Sequence, residues 1–114
     1  TLALEVALPR GYKVNTLAPF SLRWKVAGEA VAISAEDAEL VIEEPEYPLR
    51  VEVPARFKAG EGTVSAELDI YYCREGAEAL CLVDRSRVSV PVTVGERGPQ
   101  VVSLERRPPA VPGD

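Results

Sequence analysis

The sequence predicts an all-β domain, an immunoglobulin-like antiparallel β-sandwich of about seven to nine strands. Three observations predict it. Apolar residues alternate with period two almost everywhere, sustained helical periodicity is almost absent, and turn signals punctuate the chain at short intervals. A small β-barrel is the alternative closure of the same strands.

In chain order, LALEVAL sets Leu2, Leu4, Val6 and Leu8 on one face and Ala3, Glu5 and Ala7 on the other. FSLRWKV turns Phe20, Leu22, Trp24 and Val26 inward against Ser21, Arg23 and Lys25. AVAIS and AELVIE read as further strands, although AEDAEL between them also suits a short helical turn. PLRVEVP opposes Leu49, Val51 and Val53 to Arg50 and Glu52. TVSAELDIYY opposes Val64, Ala66, Leu68, Ile70 and Tyr72 to Thr63, Ser65, Glu67, Asp69 and Tyr71. Each pattern is that of a half-buried strand. LCLVD, RVSVPVTV and QVVSLE complete the set. Turns are expected at Pro9 to Gly11, Gly28-Glu29, Glu44-Pro45, Ala59 to Gly62 and Gly95 to Pro99. Pro48, Pro54 and Pro91 should lie at edges or bulges, where no ladder hydrogen bond is lost. Residues 1–104 form one sandwich domain in this reading, and the Pro-rich residues 105–114 a disordered or surface-draped tail.

At 114 residues the chain fits one core. Its net charge of -5 and pI near 4.8 argue against nucleic acid and anionic membranes, which need a basic face. No apolar run is long enough to cross a bilayer, so a soluble chain without membrane insertion is expected. Asn15 and Gln100 are the only amides, methionine is absent, and Glu, Arg and Pro are plentiful, a composition like that of a thermophile. Disulfides occur inside hyperthermophile cells as well as outside cells, so the compartment stays open between cytoplasmic and extracytoplasmic.

The absence of histidine removes Ser-His and Cys-His dyads and imidazole metal ligands. Two cysteines in a C-x7-C spacing do not make a zinc site, no cofactor is implied, and the acidic run EDAELVIEEPE lacks the bend glycine of a calcium loop. It reads as a solvated face, and Thr1 as an ordinary chain start rather than a nucleophile. What remains is the cysteine pair. Cys73 ends one strand and Cys81 lies in the next, with REGAEAL between them as a hairpin loop, so the thiols should face each other. By parity Cys73 belongs with Asp69 and Tyr71 and should point away from the main core. A bond there could be a staple or a redox site, and reduced thiols stay open too.

The run YYCREGAEALC followed by RVSVPVTV resembles the cysteine hairpin of the amino-terminal, immunoglobulin-like domain of the thiol:disulfide interchange protein DsbD family. There the gap is five residues and an aromatic-Pro-Pro follows, where this chain has seven and Leu82-Val83-Asp84. A closer resemblance is to the β-rich carboxy-terminal domain of proteins that join a thioredoxin-like domain to an NHL-repeat propeller. It rests on Leu8-Pro9, Gly11, Asn15 and Ala18-Pro19 together with Tyr71-Tyr72-Cys73 and Cys81. The resemblances imply a reversible Cys73–Cys81 disulfide that exchanges with a thioredoxin-like protein or neighbouring domain, within a larger multidomain chain. Asp69, Tyr71, Tyr72 and Arg74 would flank the pair. Arg74 is the only cation near it in sequence and Glu75 offsets it, so the domain is expected to receive electrons rather than attack. The competing expectation is a non-catalytic interaction module, with the bond as staple and edge strands as docking surface. Trp24 reads as a core anchor, Tyr12 and Tyr47 as hydroxyls reaching backbone groups, and Arg106-Arg107 as solvated tail.

Overall fold

The computed structural model describes residues 1–15, 17–76, 80–95 and 101–110. Among them the strands are β1 (Leu2–Val6), β2 (Tyr12–Val14), β3 (Phe20–Gly28), β4 (Val31–Ala32), β5 (Glu39–Ile42), β6 (Leu49–Val53), β7 (Arg56–Phe57), β8 (Gly60–Arg74), β9 (Cys81–Val94) and β10 (Val102–Arg106). A 3-10 turn, Ala35–Asp37, precedes β5 and resolves the ambiguity of AEDAEL in favour of one short turn.

The fold is an all-β sandwich. One sheet has the order β10-β1-β6. The other is built on β8, which pairs along one edge with β3 and then β2 and along the other with β9, while β5 extends the sheet beyond β3. β4 and β7 form a separate two-stranded ribbon. All pairings are antiparallel except β1 with β10, which run parallel in register Leu2↔Val102 to Val6↔Arg106.

Between the two sheets lies one core. Leu2, Leu4, Val6, Val51, Val53, Val102 and Leu104 from the smaller sheet meet Phe20, Leu22, Trp24, Val64, Ala66, Leu68, Ile70 and Tyr72 from the larger. Apart from Val102 and Leu104, these are the inward positions that the period-two pattern picked out, because successive strand side chains alternate between faces. Trp24, only 2% exposed, anchors this core as expected.

Several elements differ from the sequence reading. LCLVD and RVSVPVTV are one continuous strand, β9, paired with β8 from Gly60↔Val94 to Cys73↔Cys81. The turn expected at Ala59 to Gly62 is mostly strand, since β8 begins at Gly60. β2 and β7 are too short for any alternation to show. Pro91 lies in the outermost strand of its sheet, as its missing N–H requires. The turn residues Glu96 to Pro99 lie outside the described residues.

β10 continues to Arg106, past the expected domain limit at 104, and Pro108 is fully buried. Residues 105 and 106 thus belong to β10 and Pro108 packs on the domain, while 111–114 lie outside the described residues. No helix among the described residues is long and apolar enough to cross a membrane.

Candidate functional site

β8 has 15 residues, about 50 Å at strand rise, against a longest molecular dimension of 54 Å. The end of the β8–β9 hairpin is therefore one pole of the molecule, and there Cys73 and Cys81 form a disulfide with Cα atoms 4.0 Å apart. The two residues face each other directly across the ladder. The next pair outward carries a backbone bond from the Arg74 N–H to the Leu80 carbonyl, 2.8 Å. Such bonds fall on alternate pairs, so Cys73 and Cys81 occupy a non-hydrogen-bonded position, where side chains approach most closely.

The two halves of the disulfide differ in exposure. Cys73 is 6% exposed, because β8 is flanked there by β2 as well as β9, whereas Cys81 on the outermost strand is exposed. Both lie on the outer face, and neither belongs to the apolar cluster between the sheets. The parity expectation for Cys73 holds for direction, while burial comes from its neighbours in the sheet.

The strand alternation sorts the flanking residues. Tyr71, facing Val83, forms the next row on the outer face, and Asp69, facing Arg85, the row beyond it. Asp69 accepts a hydrogen bond from the Ser21 hydroxyl at 3.3 Å, and Arg85 approaches its carboxylate at 3.7 Å. The Arg85 guanidinium, hydrogen-bonded to the Tyr71 side chain and near Asp69, is held above its ordinary pKa. Tyr72 and Arg74 alternate to the inner face and do not share a surface with the disulfide. Tyr72 is buried, packs its ring 5.4 Å from that of Tyr12, and donates its hydroxyl to the Pro109 carbonyl at 2.6 Å.

Lys13 is a residue that the sequence reading missed. It stands opposite Cys73 in the β2–β8 ladder and on the same outer face. β2 is sixty residues away in the chain and too short to announce itself, so only the register reveals the pairing. Its side chain is exposed, which places a cation on the outer face beside the disulfide. Leu80 and Val83, 40% and 44% exposed, add apolar surface beside Cys81. No family model and no curated protein matches the chain.

The inner side of the same pole holds a polar group that the sequence also concealed. Asp84 is 8% exposed and faces inward from β9. Arg106 donates to both of its oxygens, at 2.7 and 3.0 Å, and the Ser86 hydroxyl donates at 2.9 Å. Burial raises the Asp84 pKa, but the hydrogen bonds from Arg106 and Ser86 and the charge of Arg106 outweigh it, leaving a net lowering. Arg106, read as solvated tail, thus ties the two sheets together. Elsewhere Tyr47 finds no partner for its hydroxyl among the described residues, contrary to the backbone contact expected, and burial raises it to about 12. Among the described residues no group of three or more His, Cys, Asp and Glu side chains is placed to hold a metal ion.

Proposed function

We propose that this domain accepts electrons by thiol–disulfide exchange with a thioredoxin-like protein or domain, and that Cys81 is the sulfur attacked. A low-pKa thiolate of the partner attacks Cys81 Sγ, the Cys73–Cys81 bond breaks, a mixed disulfide forms, and Cys73 leaves as a thiolate. A second partner thiol then attacks the mixed disulfide and releases Cys81. Two electrons have moved: this domain holds two thiols and the partner a disulfide.

The observation that carries the reading is the unequal exposure of the two sulfur-bearing residues at an open pole of the molecule. It offers one sulfur to a nucleophile and keeps the other among its neighbours, with Lys13 across the ladder to favour its thiolate. The resemblance of the cysteine hairpin to the DsbD and NHL-associated domains supports the same class of partner.

A second reading has its own support. Cys73 sits between β2 and β9, so the bond ties β9 to a β8 that β2 already holds at the pole. On that reading the domain is a non-catalytic interaction module with a structural disulfide. Equilibration with a glutathione or dithiothreitol series decides between them. Exchange predicts a potential within the range of thioredoxin-like proteins, about -120 to -270 mV, with the fold intact in both forms. A potential below about -300 mV with marked loss of stability on reduction identifies the staple and sinks the exchange reading.

A further inference from the structure

We propose that residues 107–110, which follow Arg106 at the β1-paired end of β10, form a strap whose docking is coupled to the oxidation state of the Cys73–Cys81 pair. The strap crosses the inner side of the pole whose outer side carries the disulfide. It has two polar anchors, one on each strand of the hairpin. Arg106 is bound to Asp84 of β9 through two hydrogen bonds, and the Pro109 carbonyl accepts from Tyr72 of β8. Between the anchors Pro108 is fully buried.

The disulfide joins the same two strands, one residue beyond Tyr72 and three residues before Asp84. It therefore fixes the separation of the anchors. On reduction β8 is still held at this level by β2, through Lys13↔Cys73 and Val14↔Tyr72. β9 has only β8 as a strand partner among the described residues, so its tip is the part free to fray. Fraying from Cys81 toward Asp84 withdraws the carboxylate from Arg106 and undocks the strap. By linkage, a strap that docks better on the oxidised form must favour the disulfide, and weakening the strap must make the bond easier to reduce. A redox change on the outer face thereby becomes a conformational change in the carboxy-terminal segment on the inner face. None of this requires a particular partner.

The test is limited trypsin digestion of the whole protein, oxidised and after reduction, following the Arg106-Arg107 bond against bonds after Arg23 and Lys25 in β3. We expect reduction to accelerate cleavage after Arg106 at least tenfold more than cleavage within β3, whose bonds open only with the whole fold. Equal rates at Arg106 in the two forms overturn the coupling, as does uniform acceleration at every site, which means global unfolding. The reciprocal arm is the midpoint potential of Arg106→Leu, expected to shift tenfold in the equilibrium with dithiothreitol, about 30 mV, toward easier reduction. Tyr72→Phe serves if that variant fails to fold. An unchanged potential in a folded variant also overturns the proposal.

Discussion

At the scale of single residues, the pole of the hairpin separates an outer face that carries the disulfide from a buried ionic inner face, and each makes its own prediction. If Cys81 is the accessible sulfur, the lone thiol of Cys73→Ser reacts with a disulfide reagent at least tenfold faster than that of Cys81→Ser; equal rates remove the assignment of the attacked sulfur. In the proposed exchange the part given to Lys13 is one of charge alone. Lys13→Glu should slow reduction of the native disulfide by dithiothreitol several-fold at low salt, and the difference should vanish near about 1 M salt, where screening is nearly complete. A salt-independent effect would point to a change in packing instead. Asp84 is a matter of stability. Its folded pKa is depressed, so its contribution is present above the ordinary carboxylate value of 3.8 and is lost as pH falls through the folded value. Arg106→Leu leaves that buried carboxylate with only Ser86, a cost of about 1–3 kcal/mol at pH 7. In urea titrations the gap from wild type should shrink as pH falls through the carboxylate range, because the variant's unpaired carboxylate protonates before the one bound to Arg106 does; a gap independent of pH would assign the loss to the arginine's packing.

At the scale of elements, the β3–β8 ladder ends in a glycine pair that has no room for a side chain. Gly28, at φ 85°, stands opposite Gly62; a Cβ on Gly28 would lie 2.6 Å from the Glu61 carbonyl oxygen, and one on Gly62 2.6 Å from that of Ala27. Both obstacles are backbone, which cannot swing aside. Gly28→Ala should therefore cost about 1–3 kcal/mol in chemical unfolding, from left-handed strain and the clash together; a neutral substitution would mean that the β3–β4 corner can rebuild. The strands themselves were legible wherever five or more alternating residues ran together, as in β1, β3, β6 and β8. β2 and β7 were not, because three and two residues carry no period. β9 was read as two strands because Asp84, Arg85 and Ser86 form a polar interruption. What makes an inward Asp84 tolerable is Arg106, whose proximity is a tertiary fact. The same holds for the site. The facing cysteines could be read from a hairpin loop, but their unequal exposure, Lys13 across the ladder and the strap beneath depend on which strands flank β8.

At the scale of the whole molecule, the question is whether the fold needs its disulfide. The core runs between the sheets through Leu2, Leu4, Phe20, Trp24, Leu68 and Ile70, while the disulfide closes a separation of 8 residues on the outer face at one pole. The two contribute through different terms: the core by removing apolar surface from water, the bond by restricting the unfolded chain. A loop this short yields about 2–3 kcal/mol in the chain-entropy model. That is less than the total stability of about 5–15 kcal/mol usual for a domain, so the reduced protein should remain folded. For a chain of this size the loss corresponds to a melting temperature lower by roughly 8–12 °C. Trp24 supplies the measurement, since it is the only tryptophan, 2% exposed, and lies in the core far along β3 from the cysteine pole. Its emission should stay blue-shifted on reduction at 25 °C, with the heat-induced red shift moving down by that interval. Loss of the buried emission on reduction at 25 °C would show instead that the core depends on the bond, and a reversible exchange cycle could not then run on a folded domain.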